Sequence, residues 1–143
     1  MPDRPTIRAL ADARRRGVSV RIVVPGRRID QWIVRHASRA LWKPLLEAGV
    51  EMYEYLPTMF HCKAMVLDDV MVSVGSTNFD NRSFRLNDEA NLNVYDPAFA
   101  HQMRAVFEND LGVCRRVTLQ SWRRRPLRER LIGDLARRPR SQL

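Results

Sequence analysis

Hydrophobic positions along the chain change period several times, and the changes mark the elements. From Thr6 to Arg16 the apolar residues Ile7, Leu10, Ala11 and Ala13 recur at helical spacing, and Gly17 closes the run. Val18 to Val24 is a β-branched stretch that predicts a strand, with Pro25-Gly26 as a turn. Asp30 is placed to cap a helix running to about Leu41, with Trp32, Ile33, Ala37, Ala40 and Leu41 on its inner face. Pro44 restarts the helix, which continues through Leu45 and Leu46 to Gly49. His36 and Arg39 fall on this element and read as surface residues. A strand is predicted over Val50 to Tyr55. Phe60 to Leu67 and Val70 to Val74 read as two strands joined by a tight turn at Asp68-Asp69. A polar loop follows from Asn78 to Asn87, then a strand from Glu89 to Tyr95. Asp96-Pro97 starts a helix to about Leu111 with Phe99, Met103, Val106 and Phe107 inward, and Gly112 stops it. Thr118 caps a short turn containing Trp122. Pro126 opens a last helix with Leu127, Leu131, Ile132 and Leu135 on one face.

This order of helices and strands predicts a mixed α/β layer fold. A chain of 143 residues suits one domain of ordinary apolar content. No stretch has the length or the apolar character of a bilayer span, and Met1-Pro-Asp-Arg does not begin a signal peptide. Cys62 and Cys114 are too few for a disulfide framework and are expected to be reduced. Charge divides the chain further. Of the formal net charge of +9, residues 115–143 carry +8, with ten arginines against Glu129 and Asp134, and residues 1–114 carry +1. We therefore expect a near-neutral body over residues 1–114 and a basic, amphipathic helical tail over 115–143. Such a tail suits an anionic membrane surface or nucleic acid, or forms a solvated helix packed on its own domain.

The chemistry concentrates between His61 and Glu89. Side chains two apart on a strand share a face, so His61 and Lys63 project together and Cys62 points away. An imidazole beside an ammonium forms an anion-binding pair. Ser76 and Asn78, at the far end of the hairpin, return to the neighbourhood of His61 with a hydroxyl and an amide, both able to bond phosphate oxygens. Glu89 supplies a carboxylate able to hold one imidazole nitrogen and set the tautomer. Tyr53, Tyr55, Met59 and Phe60 lead into His61 and form either an apolar wall or plain core. Arg82 and Arg85 lie in the loop over the site, placed to contact a second phosphate. Nothing in the sequence has the spacing of a metal cluster.

Read as His-x-Lys-x4-Asp-x6-Gly-Ser-x-Asn, the residues His61, Lys63, Asp68, Gly75, Ser76 and Asn78 resemble the HKD signature of the phospholipase D superfamily without departure, and Glu89 stands where that family carries a downstream acid. At about one in twenty per fixed position, chance agreement at seven positions is very small. The block from Gly75 to Glu89 is similar to bacterial cardiolipin synthases, and the likeness extends from about Arg8 to Leu131, to the C-terminal half of such an enzyme. The resemblance implies a phospholipase D-like mixed β-sheet flanked by helices, forming one HKD half-domain. It implies phosphatidyl transfer through a phosphohistidine, with His61, Lys63, Asp68 and Glu89 as catalytic residues, Lys63, Ser76 and Asn78 on the phosphate, and no metal or cofactor. If this is a second half, His61 is the general acid; otherwise it is the nucleophile or the acid. The implied substrate is phosphatidylglycerol-like, at the cytoplasmic face of a membrane to which the chain is peripheral. Family members carry two motifs or pair two chains, whereas this sequence holds one. The second comes from an N-terminal half or from a homodimer mate. A homodimeric phosphodiesterase or nuclease of the same superfamily, and a catalytically incomplete binding half, are the alternatives; the Gly75–Glu89 block favours lipid over nucleic acid.

Overall fold

A computed structural model of the chain describes residues 3–28, 32–79 and 87–137. Helix α1 (Arg4–Arg15) starts at Asp3, whose carboxylate accepts the Thr6 amide at 2.8 Å, with Pro5 in the first turn where no amide donor is needed. Strand β1 (Arg21–Pro25) follows. Helices α2 (Trp32–Ala40) and α3 (Lys43–Glu47) carry the chain across to β2 (Glu51–Tyr55), which pairs parallel with β1 from Arg21↔Glu51 to Pro25↔Tyr55. Parallel neighbours need such a helical crossover. The expected cap Asp30 lies outside the described residues.

The next three strands are consecutive and antiparallel. β3 (Ala64–Leu67) turns into β4 (Met71–Gly75), and β4 pairs with β5 (Asn91–Tyr95). At the turn Asp68 and Asp69 take φ of 47° and 54°, and the Val70 amide donates to the Leu67 carbonyl at 3.0 Å. Aspartate tolerates the left-handed region better than most residues, which is why an Asp-Asp pair serves here. Helix α4 (Pro97–Gly112) is capped by Asp96, which accepts the Phe99 amide at 3.0 Å, and packs on β3 and β4 through the fully buried Ala100.

The chain then returns to the first sheet. β6 (Cys114–Val117) pairs antiparallel with β2, from Met52↔Val117 to Tyr55↔Cys114. The architecture is thus the expected mixed α/β arrangement, with its strands divided into two three-stranded sheets, β1-β2-β6 and β3-β4-β5. Helix α5 (Leu119–Arg123) is capped by Thr118 in a reciprocal capping box with Ser121, and α6 (Leu127–Arg137) lies against α2. The core joins Ile7 and Ala11 of α1, Trp42, Leu45, Leu46 and Val50, Met52 of β2, Val117 of β6 and Trp122 of α5.

Three expectations need correction. The strand foreseen from Phe60 begins at Ala64, so His61 to Lys63 form the approach to β3. Phe60 stacks on Tyr55 instead, with ring centroids 4.8 Å apart. Val106, expected inward, is half exposed, because the inner stripe of α4 runs through Phe99, Ala100, Met103 and Phe107. Arg39, expected at the surface, is buried against Glu54 of β2. β6 starts at Cys114, and its ladder to β2 ties this part of the chain to the first sheet.

Candidate active site

Antiparallel pairing decides which signature residues meet. Lys63 directly precedes β3, Gly75 ends β4, and Asn91 starts β5, so all three lie at one end of the second sheet. The Gly75 amide donates to the Lys63 carbonyl at 3.2 Å. The Ser76 amide donates to the Ala90 carbonyl at 3.0 Å, and the Ala90 amide donates back to the Ser76 hydroxyl oxygen at 3.1 Å. The Thr77 amide reaches the Asn91 side-chain carbonyl at 3.3 Å. The Gly-Ser step of the signature therefore clamps the approach to β3 on one side and the residues around Glu89 on the other. Only glycine fits between them: a Cβ on Gly75 would stand 2.1 Å from the Ala90 oxygen and 2.2 Å from the Asn91 side-chain oxygen. Gly75→Ala is expected to break the β4–β5 seam at the site and to cost about 2 kcal/mol or more, a strain comparable to overpacking a core. Denaturant melts of the variant beside the parent protein check this.

His61 and Lys63 do come together. The Lys63 ammonium lies 3.0 Å from each ring nitrogen of His61 and 3.2 Å from the His61 carbonyl oxygen. Being equidistant, it faces the ring edge between the two nitrogens. Lys63 has donors only, so whichever ring nitrogen lacks a proton accepts. His61 and Cys62 are exposed and Lys63 is half-buried. Ser76 uses a lone pair on the Ala90 amide, which leaves its hydroxyl proton for an incoming oxygen. The Glu89 carboxylate accepts from the Asn87 amide at 3.3 Å and is half-buried.

Asp68 stands elsewhere. It lies in the β3–β4 turn, separated from Lys63 by the whole of β3, or about 15 Å of extended chain. Its left-handed backbone closes the hairpin. The neighbouring Asp69 is held by α4, where Arg104 donates to its carboxylate at 2.6 Å while the other guanidinium arm lies 3.2 Å from His101 Nδ1. An Arg three residues after a His on one helix face is the only local signal of this strut in the sequence. His101 is thus engaged on α4 and His36 lies on α2, away from any His-x-Lys pattern. Arg82 and Arg85 lie outside the described residues.

A family model described as "Cardiolipin synthase, PLD-like domain" matches residues 1–111. The chain belongs to that family. The minor cardiolipin synthase of Bacillus subtilis is 38% identical over 137 residues, an alignment covering 96% of this chain and 34% of that protein. A cardiolipin synthase of Clostridium perfringens is 38% identical over 140 residues, covering 96% and 29%. Cardiolipin synthase A of Pseudomonas entomophila is 40% identical over 123 residues, covering 86% and 26%. The chain thus spans about a third or less of these relatives. Among solved structures, Nuc, a phospholipase D family member from Salmonella typhimurium, superposes with a TM-score of 0.70 at 24% identity, over 82% of this chain and 76% of its own. That likeness establishes the fold of the PLD-like domain and agrees with the mixed α/β arrangement described above.

Proposed function

We propose that this PLD-like chain supplies one of the two HKD motifs of a phosphatidyl-transfer reaction in cardiolipin synthesis. The observation that supports this most directly is the gathering of His61, Lys63, Gly75 and Ser76 at one end of a sheet, in a chain similar over nearly its whole length to cardiolipin synthases. In this reading one imidazole attacks phosphorus and forms a P–N bond as the P–O bond to the leaving alkoxide breaks. A second imidazole, from the other motif, gives the alkoxide its proton. An acceptor alcohol then loses its proton to that second imidazole, attacks the phosphohistidine and frees the first. Lys63, Ser76 and Asn78 bind the non-bridging oxygens, where cationic and neutral donors fixed in advance stabilise developing charge. Glu89 orients His61. The substrate is an anionic glycerophospholipid of the phosphatidylglycerol type, met at the cytoplasmic face of a membrane by a peripherally bound enzyme. Among the described residues no helix is long and apolar enough to cross a membrane.

The chemistry requires an attacking imidazole and a proton donor on opposite sides of one phosphorus, and neither His36 nor His101 is followed by the Lys two residues later that would make a second motif. The partner motif comes from an N-terminal half or from a second copy of the chain. Phosphatidyl transfer from phosphatidylglycerol and mass in solution, measured on one preparation, test this. A monomer is expected to be inactive. A strictly monomeric preparation with robust turnover abolished by His61→Ala would overturn the requirement for a second motif. A dimer that cleaves nucleic acid and leaves phosphatidylglycerol untouched would overturn the choice of lipid.

A further inference from the structure

Far along the chain from the HKD hairpin, the two ends of the fold enclose an open cleft of about 1000 Å³ between α1, the α2–α3 junction, α5 and α6. Six of the described residues lining it are basic: Arg4, Arg8, Lys43, Arg123, Arg125 and Arg130. No acid is among the described lining residues, and the floor between the cations is apolar, built from Ile7, Leu41 and Trp122. The nearby acid Glu47 lies 3.7 Å from the Lys43 ammonium and 3.6 Å from Arg123, on the α3 side of the rim. One carboxylate shared by two exposed cations leaves the cleft strongly positive.

Helix α6 forms one wall, and its orientation is the second observation. It turns Gly133 to the body, where a Cβ would stand 2.9 Å from the Ala40 methyl, and it turns Glu129 towards Arg39 at 3.8 Å. Leu127 and Leu131, on the opposite face, are 71% and 64% exposed. Among its described side chains the helix thus turns Gly133 and Glu129 to α2, keeps Ile132 half-buried and holds two leucines outward, with Arg128 and Arg130 exposed beside them. A solvated helix has no use for two leucines on its outer face. An interfacial helix does: leucines enter the acyl boundary while the arginines extend to the headgroups.

We infer that the cleft and the outer face of α6 form a docking surface for an anionic phospholipid bilayer, separate from the HKD site, with a lipid phosphate seated among the cleft cations. Charge complementarity selects this occupant. A nucleic acid would satisfy the cations and leave Leu127 and Leu131 in water. A second copy meeting this face isologously would bring the same cations against themselves. The inference rests on the proposed phospholipid substrate only for the choice of lipid; binding is read without turnover, so a chain inactive on its own can still pass.

The full chain is mixed with phosphatidylglycerol vesicles and with phosphatidylcholine vesicles, and bound protein is measured by sedimentation at low and high salt. Binding is expected to phosphatidylglycerol alone and to weaken with salt. The double charge reversal Arg8→Glu with Arg130→Glu should lower the partition coefficient by at least about tenfold, since each basic residue near an anionic surface adds a several-fold factor. Leu127→Ser with Leu131→Ser should lower it as well, although all four positions are exposed and circular dichroism should be unchanged. His61→Ala should bind as the parent does, which separates this surface from the catalytic pair. Undiminished vesicle binding by the charge-reversed protein overturns the proposal. So does a charge reversal that weakens binding to duplex DNA and leaves vesicle binding intact, or a leucine pair whose replacement only converts a dimer to a monomer.

Discussion

Replacing His61 by alanine or asparagine is expected to reduce phosphodiester turnover by about two to four orders of magnitude if it is the general acid, and by more if it is the nucleophile, in whichever assembly is active. A general acid contributes up to about 10⁴-fold. A nucleophile contributes more, because its removal closes the covalent route altogether. Stability should not move, since His61 is exposed, precedes β3, and turns its ring nitrogens to Lys63. Lys63→Ala should also lose activity, and Lys63→Arg should not restore it fully, because a planar fork cannot occupy the point that an ammonium holds 3.0 Å from both ring nitrogens. Glu89→Gln keeps the shape and removes the charge of the group proposed above to orient His61, so its loss of activity should be smaller than that of His61→Ala. Rates on a lipid or soluble phosphodiester, read beside circular dichroism, decide the matter. Turnover by a folded His61→Ala protein within tenfold of the parent would remove His61 from the chemistry.

Local chemistry was the legible part of this fold. The Asp68-Asp69 turn, the Asp96 cap on α4 and the Thr118 cap on α5 each follow from the conformational habits of the residues themselves, and each stands where the sequence placed it. The fold class followed from the order of elements, and the family followed from six signature positions. What escaped depends on contacts distant in sequence. β6 reads Cys-Arg-Arg-Val, without an apolar run, and becomes a strand because β2 offers it an open edge. In β2 itself the sequence Glu-Met-Tyr-Glu-Tyr gives no clean alternation, and the strand period puts Glu54 on the same inward side as the buried Met52. A carboxylate there is inexplicable from β2 alone. It becomes intelligible once Arg35 and Arg39 of α2 and Arg115 of β6 converge on it. The same distance effect hid the lean of α6: the sequence put its leucine stripe on one face, and only packing on Ala40 shows that Leu127 and Leu131 lie on the side facing away from the body. At the active site, Asp68 belongs to the motif by spacing, and its place at the far end of the hairpin is visible only when the strand is drawn out.

The largest effect on stability is expected at Glu54. Its side chain is fully buried between helix and sheet, and it accepts from Arg35 at 2.6 Å and from Arg39 at 2.8 Å through one oxygen and from Arg115 through the other. Arg39 also lies over the Trp42 ring at 5.5 Å, and its backbone carbonyl accepts from the Trp122 indole at 2.7 Å and from Arg125 at 3.1 Å. One carboxylate thus links α2, β2 and β6, while α5 and the link from α5 to α6 hang from the Arg39 backbone. Such clusters add little net stability over a well-packed apolar core, but removing one partner strands the others. Glu54→Gln keeps the shape and leaves two buried guanidinium groups and a third, half-exposed one facing each other, with Glu129 at 3.8 Å from Arg39 as the one remaining carboxylate among their ion pairs at the described residues. A cost of about 3–5 kcal/mol is expected, a large share of the roughly 5–15 kcal/mol that holds a domain together. Arg115→Met, at the more exposed partner, should cost less. Acid should mimic the loss. Burial pushes the Glu54 carboxyl up, but the hydrogen bond from Arg115 and the charges of Arg39 and Arg35 outweigh it and hold the group below the ordinary carboxylate range. A carboxyl whose folded value is depressed stabilises the protein fully above its unfolded value, near 4.3, and loses that contribution as pH falls from there through the folded value. Denaturant midpoints across that acid range should therefore fall in the parent protein and change less in Glu54→Gln, which has no proton to take up at this position. If Glu54→Gln melts within about 1 kcal/mol of the parent at neutral pH, a size usual for surface changes, the cluster is not what joins the helices to the first sheet.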